Sequence, residues 1–141
     1  MCLARVFDKK ERDAVLDKLP DEFTVWKIIC DWGKSKAEKE NRYTTDCRGM
    51  TIHGGEVRFK TNTIESIDGQ VYRGGGHFWL YKQDAEWWRY FRWPKNEYEK
   101  IIRCRVKKEW ITNMGRQLDR TVVVVKRAVF PKYLGQAKNS R

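Results

Sequence analysis

Thr121 to Phe130 reads TVVVVKRAVF, with valine at every position from Val122 to Val125. Side chains of a strand alternate between its two faces, so an unbroken β-branched run suits a strand covered on both sides. A chain that contains such a strand needs a layer on each face of its sheet. Pro131 stops the strand immediately afterwards.

The other elements follow from periodicity. Phe23–Cys30 (FTVWKIIC) is a β-rich run. Glu56–Lys60 (EVRFK) reads as a strand after a Gly54-Gly55 turn, and Gly76–Tyr81 as a strand after three glycines. Tyr98–Val106 (YEKIIRCRV) alternates around Ile102, Cys104 and Val106. Lys9–Leu19 carries Ala14, Val15, Leu16 and Leu19 at helical spacing and ends at Pro20. A second helix is expected from Asp84 to about Arg92, with Trp87, Trp88 and Phe91 at helical spacing and Pro94 as its stop. Turns are expected at Asp68-Gly69 and at Met114-Gly115, while Tyr43–Met50 reads as irregular. Asp31–Asn41 is a polar connection, either a helical turn or a loop.

These elements predict an α+β fold with a mixed or antiparallel sheet, an N-terminal helix and a Trp-rich helix. The 141 residues allow one domain with a real core, and we place it at 1–134. The small, polar, basic tail 135–141 is expected to be disordered. A content of 40% hydrophobic and 13% aromatic residues excludes a wholly disordered chain. The N-terminus shows no apolar signal-peptide core and no run approaches a membrane span, so the expected compartment is the cytoplasm, with no membrane partner.

Four cysteines, Cys2, Cys30, Cys47 and Cys104, form no CxxC pair and fit neither a zinc module nor a disulfide framework. Whether His53 and His77 converge with Cys47 or Cys104 is not legible from spacing, and the expectation is no metal.

Chemistry concentrates in Tyr72–Tyr90, YRGGGHFWLYKQDAEWWRY. Gly74, Gly75 and Gly76 permit a close approach to the backbone, by a ligand or by another strand. Such a loop before an aromatic strand can cradle a nucleotide, with N–H groups on phosphates and an aromatic face on the base. The P-loop and Rossmann patterns are both absent. His77 is either a general base or ligand donor, or an ordinary strand histidine. No GxSxG, no HExxH and no carboxylate pair supports hydrolysis.

The string GGGHFWLYKQDAEWW resembles a segment of ADP-ribosyltransferases of the poly-ADP-ribose polymerase type. Gly74 and Gly76 match its two glycines. Phe78 falls where that family places the tyrosine that stacks on nicotinamide. Ala85 and Trp88 or Tyr90 fall near its later alanine and aromatic. Downstream, Ile101–Val106 resembles the next core strand and Arg120–Leu134 the final one. Arg120 then stands at the position of the catalytic glutamate, with Asp119 just before it. Phe23–Cys30 carries Trp26 and Lys27 where the family has a histidine, and His53-Gly54 is the nearest substitute. The resemblance implies an NAD- or ADP-ribose-binding domain, diverged or inactive, using Gly74, Gly75, Gly76, His77, Phe78, Trp88 and Arg120. If an enzyme at all, it would be a diverged ADP-ribosyltransferase.

Charge suggests a different class. Lys and Arg number 30 against 19 Asp and Glu, a net charge of +11. A basic domain of this size suits an anionic partner: a nucleotide, a nucleic acid or an acidic protein surface. Arg89, Arg92, Trp93 and Lys95 follow the tryptophans. Arg103, Arg105 and Lys107 alternate onto one face of their strand. That stripe can track phosphates or be a solvated outer face. The alternative function is thus a small basic module, in the style of phage-borne proteins, that inhibits or sequesters a nucleic acid or a nucleoprotein defence complex.

Overall fold

The computed structural model describes residues 3, 5–30, 42–45, 51–59, 61, 64–67, 70–91 and 99–131. The expectations for 31–41, 46–50, Asp68-Gly69, Arg92–Pro94, Lys95 and the tail 135–141 lie outside these residues, as do Cys2, Cys47 and the side chains of Cys30 and His53.

The valine run forms two strands, β11 (Arg120–Val125) and β12 (Arg127–Phe130), which meet at Lys126. Both backbone groups of Lys126 are held at this bend. Its N–H donates to the Trp110 carbonyl at 2.8 Å, and its carbonyl accepts from the Phe59 N–H at 2.9 Å. Before the bend, β11 pairs with β10 (Ile111–Gln117) and β8 (Gly76–Trp79). After it, β12 pairs with β5 (Gly55–Arg58) and β9 (Glu99–Lys107).

The central strand is β2 (Glu22–Cys30), which pairs with β9 from Glu22↔Lys107 to Cys30↔Glu99. Its other edge meets β8 at Trp26↔Trp79 and β3 (Arg42–Thr45) at Ile29 and Cys30. The order β11-β8-β2-β9-β12 therefore runs in a ring, because β11 and β12 are one continuous segment. Two short strands extend it: β1 (Arg5–Val6) on β10, and β4 (Thr51–His53) on β3. A separate hairpin joins β6 (Ile64–Ile67) to β7 (Gln70–Arg73). All of these described pairings are antiparallel, which narrows the expected mixed or antiparallel sheet to the second form.

The ring has two apolar faces, as the valines require. Val123 and Val125 face an inner cluster with Phe78, Ile102, Cys104, Val106, Met114 and Phe130. Val122 and Val124 face an outer cluster with Ile28, Trp79, Ala85 and Ile101. All four valines are fully buried, each a gain of about 1.5–3 kcal/mol over an exposed side chain.

Helix α1 (Lys9–Leu16) brings Val15 and Leu16 to the inner cluster. Asp8 caps it, its carboxylate accepting from the Glu11 N–H at 2.8 Å. The helix stops three residues before the expected Leu19, where Lys18 and Leu19 bond back to Val15 and Leu16 in a tighter turn. Helix α2 (Lys82–Phe91) covers the outer cluster through Ala85 and Trp88, and carries Asp84 in its first turn.

One expected turn is corrected. Met114-Gly115 lies mid-strand in β10, not at a bend. Gly115 is required there because a Cβ would collide with the Arg5 carbonyl oxygen of β1. The bend comes later, at Leu118 (φ 47°) and Asp119 (φ 62°), between the paired Gln117 and Arg120. Two residues of positive φ make a hairpin turn whose twist suits antiparallel strands, and neither residue is the usual Gly or Asn.

Candidate functional site

The triple glycine leads into β8, where neighbouring segments crowd the backbone. Gly75 has φ +134°, and a Cβ there would lie 2.7 Å from Val124 Cγ1 and 3.0 Å from the Val125 carbonyl. At Gly76 a Cβ would lie 2.6–2.8 Å from the Phe59 ring. The chain's own strand and ring thus make a close approach that these glycines permit. Gly74 is half-buried beside them.

Phe78 is fully buried. Its ring meets Phe59 edge-on at 6.0 Å between centroids and Phe130 at 5.7 Å, so it is enclosed within the inner cluster. His77 alternates to the side of Trp79. Its Nδ1 lies 3.2 Å from the Gly75 carbonyl, within reach of a hydrogen bond when that nitrogen carries the proton.

Arg120 shares the face of Val122 and Val124, opposite Phe78. Its guanidinium donates to Asp84 Oδ1 at 3.1 Å and covers the Trp87 ring at 4.6 Å from the centroid. Asp84 is 4% exposed, so this contact neutralises a buried carboxylate and staples α2 to β11. Trp88 packs on Trp79 at 5.6 Å within the outer cluster. The seven residues assigned to a nucleotide pocket are thus divided between two faces of the sheet, with the ring of Phe78 and the cation of Arg120 on opposite sides.

A cation inside the core went unrecognised in the sequence. Lys27 is 8% exposed and points to the inner face of β2. Its ammonium donates to the His77 carbonyl at 2.8 Å and lies 5.0 Å from the Phe78 ring centroid. The register Val25↔Cys104 and Lys27↔Ile102 makes Lys27 the diagonal neighbour of Cys104. Burial drives the Cys104 thiol far above its usual pKa, and the Lys27 charge pulls weakly the other way. Cys104 is consequently a protonated core thiol rather than a nucleophile. Lys27 occupies a point where β2 and β8 share only one paired position, and it supplies a donor where the ladder has ended.

The basic stripe does assemble. Along β9 the residues Ile102, Cys104 and Val106 are buried while Arg103, Arg105 and Lys107 are exposed. Neighbouring strands widen the stripe into a face. Trp26 of β2 is in register with Arg103, and Thr24 with Arg105. On the other side Val129 of β12 is in register with Arg105, and Arg127 with Arg58 of β5. Outward Arg127 and Arg58 thus extend the cationic surface beyond β9. From above, Lys82 of α2 reaches within 5.5 Å of the Trp26 ring centroid.

Among the described residues two ion pairs bring carboxylates to this face, Glu22 at 3.5 Å from Arg105 and Glu56 at 3.4 Å from Arg127. These exposed pairs are weak and give way readily to a competing anion. Of the expected nucleic-acid contacts, Arg103, Arg105 and Lys107 converge. Arg89 is half-buried on α2, and Arg92 lies outside the described residues. Arg58, Arg127, Lys82 and Trp26 were missed, since sequence distance hides that their strands and helix are neighbours.

Among the described residues no three His, Cys, Asp or Glu side chains gather as metal ligands, and no helix is long and apolar enough to cross a membrane. No family model, curated protein or solved structure matches the chain.

Proposed function

We propose that this protein is a nucleic-acid-binding module that uses the outer face of β2, β9, β12 and β5. The observation that carries the reading is the convergence of Arg103, Arg105, Lys107, Arg127 and Arg58 on one side of the sheet. Cations held on paired strands form a fixed array, and each phosphate they meet releases condensed counterions. The net charge of +11 adds long-range attraction that speeds encounter. A module with this face acts by occupancy: it sequesters its nucleic acid or blocks a nucleoprotein from assembling on it. The NAD-pocket reading has less support, because Phe78 is a core ring and Arg120 is committed to Asp84.

Binding to labelled DNA and RNA should be measured between about 50 and 200 mM salt. Affinity should fall steeply with salt. Arg103→Ala with Arg105→Ala should reduce the slope of log K against log salt by about 1.4 on a single strand, about 0.7 per lost contact. No binding at the lowest salt, or an unchanged slope in the double variant, would sink the proposal.

A further inference from the structure

We infer that the preferred partner is a single strand, with one base stacked on Trp26 and its flanking phosphates on Arg103 and Arg105. This rests on the nucleic-acid reading above and specifies the form of its ligand.

Two observations point the same way. First, Trp26 is half-buried and in register with Arg103, so an aromatic ring and the stripe are contiguous on one face. Lys82 lies near the same ring at 5.5 Å and is held loosely by Glu86, 3.8 Å away one turn along α2. A half-buried lysine on a flexible stem can leave the ring for a phosphate when a base arrives.

Second, the spacing fits. Arg103, Arg105 and Lys107 repeat every second residue, about 6.8 Å apart along a strand. Successive phosphates of an extended single strand are separated by a comparable distance, so each nucleotide meets one cation. A duplex presents its phosphates on two curved rails and meets a flat stripe at few points.

Reading a major groove takes a protruding helix or ribbon, whereas an unpaired base needs only an aromatic platform flanked by cations.

The test compares a fluorescein-labelled oligothymidylate with the duplex it forms with its complement, by anisotropy at one salt concentration. The single strand should bind more tightly. Trp26→Leu should weaken it by about 5- to 100-fold, the effect of losing one base–aromatic stack, and leave the duplex affinity unchanged. Trp26→Phe, which keeps a ring, should lose less. Circular dichroism confirms that the variants fold. As a check on the unaltered protein, an oligonucleotide carrying 5-iodouracil should photo-crosslink to Trp26 at high yield. Equal affinity for both forms, or a crosslink elsewhere, overturns the single-strand inference and leaves the nucleic-acid reading standing. Absence of salt-dependent binding to either form removes both.

Discussion

Alanine at position 76 would place its methyl carbon 2.6 Å from Phe59 Cε2 and 2.8 Å from Cδ2 and Cζ. Carbon atoms in contact prefer about 3.5–4.0 Å, so the ring has to retreat by about 1 Å. Phe59 is half-buried and can swing outward, but it is tethered by its N–H to the Lys126 carbonyl and packed edge-on to Phe78. Overpacking of this kind costs about 1–3 kcal/mol, and the disturbed aromatic pair about 0.5–1.5 kcal/mol. Because the ring has an exit route, we expect Gly76→Ala to cost about 2 kcal/mol, a fall in Tm of about 8 °C. Phe59→Leu should relieve it, with a coupling of at least about 1 kcal/mol in a double-mutant cycle. Gly75→Ala should cost more, about 3 kcal/mol. Its φ of +134° strains any side chain, and the Val125 carbonyl 3.0 Å away cannot swing aside. Phe59→Leu should not help there. Urea unfolding with unchanged m reads both. A Gly76→Ala variant within about 0.5 kcal/mol of the parent, or costs that simply add with Phe59→Leu, would refute packing as the reason for the glycine.

Cys104 stays protonated in the folded chain, while the unfolded thiol ionises above about pH 8.5. Its contribution is therefore complete below that pH and is lost above it, by up to about 1.4 kcal/mol per pH unit; urea midpoints of the parent and Cys104→Val should diverge on going from pH 7 to 10, and parallel curves would contradict this. Lys27→Met retains the bulk but removes the donor to the His77 carbonyl, an expected loss of about 1–3 kcal/mol by denaturant unfolding. A neutral outcome would show that the ammonium does not support the core. Arg120→Met should destabilise by about 1–3 kcal/mol by stranding the Asp84 carboxylate, and Asp84→Asn should remove most of that penalty; independence of the two changes would argue that Arg120 is held ready for a ligand instead.

What could be read locally was read well. The α+β class, the strand at Phe23–Cys30, the expected strand Gly76–Tyr81 as far as Trp79, the expected strand Tyr98–Val106 from Glu99 onward, and the exposed Arg103–Arg105–Lys107 stripe rest on two-residue alternation. The Met114-Gly115 turn failed because glycine signals either a bend or a close neighbour, and here the neighbour is β1, far earlier in the chain. The actual bend, Leu118-Asp119, carries no glycine to announce it.

The stretch around Gly74–Phe78 shows the same division. Its sequence announces a backbone that something must approach closely, and that requirement is local. What approaches is Phe59 and the valines of β11, which only the pairing of β8 with β11 could bring there. The four valines likewise demanded two covered faces from the start, since alternation leaves no other choice. Which residues cover them depends on a bend at Lys126 that lets one segment pair at both ends of a ring. That closure also aligns Trp26, Arg103, Arg105, Arg127 and Arg58. Their convergence comes from contacts between distant segments, which no local pattern of residues encodes.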